Sequence, residues 1–269
     1  MSITSAMYSA ITGLSANSEA MSVISNNISN VNTVGFKSSR ALFSDMLSST
    51  IGNDSQIGSG ALIQQVDNVF SQGSFETTGQ VTDLAIQGDT FFSLGAPSAT
   101  GAQSVNSMYF TRAGAFHVDG NNYLVNPDGY RVLDEALKPV VFDTTNAPAG
   151  FTKIVSIDDV GTITYLDNTG AQQSYGTRIG VATIPDESRM VKVGGTLFQA
   201  GAVTGITATS IAAANGNDEK VLSNNLEQSN VDMATQFVKM ILTQRAYSAC
   251  SKAITAADEM SQEVINIKR

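Results

Sequence analysis

The sequence predicts an α+β protein: a mainly-β core of short antiparallel strands, carried on a helical coiled-coil module formed by the two ends of the chain. Two observations lead there. From Leu226 to the terminus there is no Gly and no Pro, and Val231, Ala234, Val238, Leu242, Ala246, Ala249, Ala253, Ala256, Met260, Val264 and Ile267 keep helical spacing, which predicts one helix about forty residues long. At the other end Ile3, Met7, Ala10, Leu14, Asn17, Met21, Ile24, Ile28 and Val31 alternate steps of four and three, a heptad repeat broken by one polar residue, Asn17. The C-terminal stripe is narrow and alanine-built from Ala246 to Ala256, so the second helix is its natural partner.

The first helix is expected over residues 1–32, with Gly35 stopping it and Phe36 anchoring the exit. Residues 33–65 read as a connector: a short amphipathic stretch, Ala41–Leu47, then a Ser/Gly-rich run over 48–61. From Val66 to 216 the pattern changes to period two, which predicts a β-rich outer domain. Its strands are expected at 66–70, 83–87, 90–95, 108–116, 122–126, 130–133, 139–142, 152–157, 161–166, 177–184, 190–193 and 196–199, with 200–216 as a last strand. Asp119-Gly120, Asp128-Gly129, Asp159-Val160-Gly161 and Asn168-Thr169-Gly170 supply turns that tolerate positive φ. All five prolines lie between 97 and 185, outside both predicted helices. The C-terminal helix occupies 217–269, with Ser229 or Asn230 as its cap and Asp232 at the positive end of its dipole.

Composition narrows the function. Only 14% of the 269 residues are charged, Trp is absent, and Ser, Thr, Asn, Gln, Ala and Gly fill the surface, a balance closer to an assembly protein than to a metabolic enzyme. The net charge of −9 is uneven: residues 1–50 sum to 0 and 217–269 to −1, so the middle carries −8. That distribution argues against nucleic acid as a partner. One cysteine excludes an internal disulfide, and one histidine beside it excludes a Cys/His metal site within the chain. No secretory signal and no run of eighteen apolar residues occurs, which predicts either a cytosolic protein or export by a route that reads an uncleaved N-terminus.

Sequence motifs leave no trace of chemistry. His117 and Cys250 have no pattern that joins them as base and nucleophile. The carboxylate pairs Asp134-Glu135, Asp158-Asp159 and Asp186-Glu187 fall in turn-like sequence, so a glycan-hydrolase pair is disfavoured against solvated loops. Gly58-Ser59-Gly60 lacks the third glycine of a dinucleotide loop, and Asp119–Asn122 lacks the glycine and glutamate of a calcium loop. No catalytic residue, cofactor, metal or small-molecule substrate is expected.

Four stretches, NNISNVNTVGFKSSRALFSDML (26–47), FSQGSFETTGQVTDLAIQGDTFF (70–92), YFTRAGAFHVDGNNYLVNPDGYRV (109–132) and LEQSNVDMATQFVKMILTQRAYSACSKAITAADEM (226–260), resemble the axial proteins of the bacterial flagellum. They stand in the family's order, and the ending NIKR is most similar to hook proteins. The resemblance implies a structural, non-enzymatic subunit of a helical tube, with paired terminal helices lining a channel and β domains outside. It favours the hook, which joins rod to filament and transmits motor torque; the alternative is a distal rod protein, and a remote one is a flagellum-associated glycan hydrolase. Implied partners are further copies of itself, rod and hook–filament junction proteins, the hook cap during assembly, and the flagellar export apparatus. The implied location is the hook and basal body on the extracellular side, reached without a cleaved signal peptide. Carried over onto this sequence, the assembly residues are Asn26, Asn27, Asn30, Asn32, Gly35 and Phe36 near the first helix and Ser229, Asn230, Val231, Gln244, Arg245, Ala246 and Tyr247 on or before the second. Two positions depart from the family pattern: Thr90 replaces a usual Gly and Cys250 a usual Asn.

Overall fold

The computed structural model describes residues 3–47, 49–50, 56–98, 101–103, 107–142, 150–200, 211–212, 214, 216 and 219–267. The chain forms two compact units, one of residues 1–31, 38–69 and 231–269, the other of 32–37 and 70–230. We take them separately.

The first unit is helical. It holds α1 (Ile3–Ser29), α2 (Met233–Ile267) and an antiparallel ribbon of β1 (Ser39–Asp45) and β4 (Ala61–Asn68), with a small pair, β2 (Ser49–Thr50) and β3 (Gln56–Ile57). No helix among the described residues is long and apolar enough to cross a membrane. The cap of α2 is Asp232 rather than Ser229 or Asn230: its carboxylate accepts from the N–H groups of Ala234 (3.2 Å) and Thr235 (3.1 Å) and from the Thr235 hydroxyl. Those bonds favour the charged form and hold the carboxyl below its usual range. The amphipathic stretch from Ala41 lies largely in β1, where a bulge at Leu42–Phe43 shifts the register against Gln65 and Ile63.

The second unit is the β core. Its strands are β5 (Phe75–Thr77), β6 (Leu84–Gln87), β7 (Thr90–Gly95), β8 (Tyr109–Thr111), β9 (His117–Val118), β10 (Leu124–Val125), β11 (Arg131–Val132), β12 (Lys153–Ile157), β13 (Thr162–Leu166), β14 (Gln172–Arg178), β15 (Val181–Thr183), β16 (Met190–Gly194), β17 (Leu197–Ala200), β18 (Ile211–Ala212), β19 (Lys220–Ser223) and β20 (Asn225–Glu227). The main sheet runs β16-β17-β8-β7-β11-β10-β9, with β15 also on β7 and β18 on β15; a separate β12-β13-β14 meander and the pairs β6–β19 and β5–β20 complete the unit. Central β7 explains the core. Its side chains alternate between two apolar clusters, Phe92 and Leu94 in one and Phe91 in the other, so all its residues are buried.

Several expected strands are divided or reduced: 177–184 parts into β14 and β15, and 139–142 keeps only isolated bridges at Pro139 and Val141. The run 108–116 ends at Thr111, and at Gly114 the chain lies against β6: Leu84 N–H donates to the Gly114 carbonyl at 2.9 Å, and a Cβ there would sit 1.7 Å from the Leu84 carbonyl oxygen, so the approach requires glycine. Of 200–216, only Ile211–Ala212 is a described strand; 201–210 lies outside the described residues.

Five hairpin turns share one construction, which the sequence does not announce. Asp119, Asn126, Asp134, Asp158 and Asp167 each donate from N–H to the carbonyl four residues on (Tyr123, Tyr130, Lys138, Thr162, Ala171) and accept at their own carbonyl from the residue three on. That third residue has positive φ throughout: Asn122, Gly129, Leu137, Gly161 and Gly170. In four of the five, the Oδ1 of the first residue accepts two further backbone N–H groups at 2.8–3.1 Å, as for Asn121 and Tyr123 on Asp119. The side chain satisfies donors that the turn takes out of the ladder.

Candidate assembly surface

In the helical unit α1 and α2 run antiparallel: Asn27 meets Gln236 and Gly13 meets Cys250. The seam is made of small and polar residues. On α1 the deepest positions are Ala16, Ala20, Ile24 and Asn27; on α2 they are Gln236 and Ala257, with Met240, Thr243, Cys250, Ile254 and Ser261 half-buried between them. At Gly13 a Cβ would come within 3.1 Å of Cys250 Sγ, so the helices approach closely there. The thiol is a packing atom in this seam.

The stripe that the sequence marks on α2 is a different face. Val238 (58% exposed), Leu242 (64%), Met260 and Val264 stand open, and Ala249, Ala253 and Ala256 lie exposed between them. The expected seam is therefore corrected: taking Gln236 as zero and 100° per residue, the apolar stripe is centred roughly 110–130° around the helix from the face that packs on α1. On α1 the marked residues Met7, Leu14, Met21 and Ile28 are likewise half-buried flank, while Ala16 and Ala20 fill the contact.

The residues expected to serve assembly divide by role. Asn27 is a buried clamp: its Nδ2 donates to the Ser39 carbonyl at 2.7 Å and its Oδ1 accepts from Ser39 N–H at 2.9 Å. Asn30 bonds back to Asn26 by its amide, at the carbonyl (2.9 Å) and Oδ1 (3.0 Å), and closes the last turn of α1. Val231 is buried before α2. Gln244, Arg245 and Tyr247 are exposed on α2 and Ala246 is half-buried. In the β unit Asn32 is exposed and Ser229 half-buried, and Asn230 donates to the Ser71 carbonyl (3.1 Å) and hydroxyl (3.0 Å). Phe36 is buried with the Lys192 ammonium 4.8 Å over its ring. Gly35 has φ +67°, and a Cβ would lie 2.3 Å from Ala113 N, so only glycine fits. Many of these residues thus brace the subunit itself.

A buried ionic cluster in the β unit escaped the sequence reading. Glu227 Oε1 accepts from Lys37 Nζ at 2.7 Å and from Gly73 N–H at 2.9 Å, and Oε2 lies 3.5 Å from Arg112 Nη1. The Glu227 carbonyl also accepts from Gly35 N–H at 2.7 Å, and Lys37 Nζ donates to the Ser71 carbonyl at 2.8 Å. None of the three charged side chains is more than 1% exposed. Loss of water pushes the Lys37 ammonium and Arg112 guanidinium below their ordinary values, against the opposing pull of Glu227. The Glu227 carboxylate joins Lys37, Gly73 and Arg112, and the residue's backbone carbonyl adds Gly35. His117, by contrast, is exposed on β9, and no group of three metal-ligating side chains occurs among the described residues.

Three family models match the chain: flagella basal body rod protein over residues 7–37, the flagellar hook protein FlgE/F/G D1 domain over 85–165, and the flagellar basal body rod FlgEFG C-terminal region over 222–267. The flagellar basal-body rod protein FlgG of Bacillus subtilis is 34% identical, covering 98% of both chains. That of Borreliella burgdorferi is 31% identical, again over 98% of both. The flagellar hook protein FlgE of the same organism is 37% identical, but over 47% of this chain and 30% of its own.

Proposed function

The chain belongs to the flagellar basal-body rod and hook protein family, and we propose that within it this protein is a distal rod subunit that polymerises into a tube. It is a structural, axial component of the flagellar basal body. The sequence-based preference for the hook gives way here: likeness to rod proteins runs from end to end, whereas likeness to a hook protein stops at about half the chain.

The observation that carries polymerisation is the exposed stripe of α2. Val238, Leu242, Met260 and Val264 are each at least half exposed although α1 is already in place. Burying such side chains returns about 1.5–3 kcal/mol apiece, so a second copy has much to gain by covering them. Further copies, neighbouring rod proteins and the hook or its junction are the partners this reading supplies, with export through the flagellar secretion apparatus. Immunogold labelling of isolated hook–basal bodies tests it. Label on the rod segment below the hook is expected; label on the curved hook would reinstate the hook reading, and label on neither would end the axial one.

A further inference from the structure

The chain passes between its two compact units four times, at 31/32, 37/38, 69/70 and 230/231. Within the β unit the residues beside those passages are gathered at one place. Gly35 N–H donates to the Glu227 carbonyl at 2.7 Å and Asn230 N–H to the Phe36 carbonyl at 3.3 Å, so the segment that follows α1 and the segment that precedes α2 are bridged by two backbone bonds. The return at 70–73 joins them through Ser71, whose carbonyl accepts from both Lys37 Nζ (2.8 Å) and Asn230 Nδ2 (3.1 Å), and through Gly73 N–H on Glu227 Oε1. Lys192 of β16 ties the group to the main sheet, donating from Nζ to the Lys37 carbonyl at 2.9 Å.

The charges at the centre of this group are poorly arranged for stability. Two cations share one carboxylate, and Arg112 Nε and Nη1 and Glu227 Oε2 have no hydrogen-bond partner among the described residues, the 3.5 Å approach of Nη1 to Oε2 being an ion contact only. Replacing such a buried ionic trio by neutral side chains of similar volume is often neutral or stabilising. What an apolar trio lacks is direction. Apolar contact does not select which segments meet, whereas the Lys37 ammonium is aimed at one carboxylate and one carbonyl, on chain segments 34 and 190 positions away.

Resting on the polymer reading above, we propose that the Lys37–Arg112–Glu227 cluster is a clasp that fixes where the chain enters and leaves the β unit, and that it serves assembly by placing those segments rather than by adding stability. All three are positioning residues: with no more than 1% of any side chain exposed, they act on a neighbouring copy only through the segments they hold. A subunit whose segments are loose must order them each time a copy is added, and that entropy is set against elongation.

The test uses the full chain. K37M/R112M/E227Q removes all three charges and keeps an acceptor for Gly73 N–H, while K192M removes only the tie to β16. The β transition is followed by thermal melts, amide exchange in the monomer by NMR, and elongation by sedimentation and electron microscopy. In wild type the amides of Gly35 and Asn230 should exchange as slowly as those of β7. The triple variant should melt at or above wild type, yet exchange Gly35 and Asn230 at least about tenfold faster and raise the critical concentration at least about tenfold. K192M should move the last two readouts the same way by a smaller factor. A triple variant that melts far below wild type makes the cluster a stabiliser and overturns the clasp. So does one that elongates like wild type, or a wild type whose Gly35 and Asn230 amides exchange freely while β7 is protected. A wild type that forms no assembly overturns the polymer reading itself, and the exchange rates of the monomer then decide the clasp alone.

Discussion

Strand β7 and helix α2 meet opposite standards. Every residue of β7 is buried, whereas of the 35 residues of α2 only Gln236 and Ala257 are. The β unit closes its own core, with Phe91, Phe92, Phe110 and Leu124 fully inside. The helical unit buries alanines and leaves Phe237, Val238, Ile241 and Leu242 outside. The first is finished as a single chain; the second, on the polymer reading proposed above, is finished by its neighbours. The β unit should therefore unfold cooperatively in the isolated subunit, while its α-helical partner frays and gains protection on polymerisation.

The sharpest way to break this contrast is to damage the finished unit. Glu227→Ala leaves Lys37 and Arg112 buried without their carboxylate, and removal of one member of such a cluster costs about 3–5 kcal/mol. Thermal melts followed by circular dichroism should show the β transition lowered and the helical signal changed little. The pH dependence has a definite sign. Lys37 has its value lowered in the folded chain, so just below the ordinary 10.5 the unfolded chain binds more protons and stability rises with pH. In the variant that rise should begin at lower pH, because Glu227 no longer holds the ammonium charged. A variant that melts like wild type would mean the cluster contributes nothing.

Gly35→Ala comes next. It combines positive φ with a Cβ placed 2.3 Å from backbone nitrogen, and about 3 kcal/mol is expected from backbone strain and displacement together. Unchanged stability would show that residues 32–37 are not held as part of the β unit.

The two faces of the helices separate at a smaller scale. Ala20 is 5% exposed in the α1–α2 seam, so Ala20→Leu should overpack it at a cost of about 1–3 kcal/mol in the monomer. Leu242→Ser, on the open face, should leave monomer helicity nearly unchanged and raise the critical concentration for assembly. If Leu242→Ser instead unfolds the monomer, the stripe is an internal one after all.

That pair also shows what the sequence could and could not reveal. Periodicity located the first helix to within a few residues, but the second, expected over 217–269, begins only at Met233, because β19 and β20 occupy the start of that span and the Asp232 carboxylate fixes the first turn. It could not say which stripe faces inward, since a side chain that docks on another copy is as apolar as one that docks on its own chain. The true seam went unseen because Gly13, Ala16, Asn27, Gln236 and Thr243 carry little hydrophobic signal. Strands such as β7 were legible from β-branched and aromatic residues, whereas β19 and β20, polar and short, were not. The Lys37–Glu227 pair spans 190 positions, and no local pattern can announce a partner so distant. The family resemblance marks Asn27 and Gly35 as assembly residues, and within the subunit each also has a bracing role.

The smallest effects lie in the repeated turns, and they set how much strain the finished unit tolerates. At Gly129 φ is +84° and a Cβ would meet nothing within 4 Å, so Gly129→Ala isolates the cost of a left-handed backbone for an ordinary residue. That cost is about 1–2 kcal/mol, or roughly 2–4 °C in Tm per kcal/mol for a domain of this size. Leu137 already bears it, at φ 62°, in a turn with the same hydrogen bonds. Its side chain is half-buried against the Phe91 cluster, and covering part of a leucine returns about 1–1.5 kcal/mol. Leu137→Gly relieves the strain, loses that contact and adds the larger entropy of an unfolded glycine, so it should also destabilise, by about 1 kcal/mol or less. A gain in stability on Leu137→Gly would mean the leucine is poorly packed, and the β unit would then be less complete than its buried strands indicate.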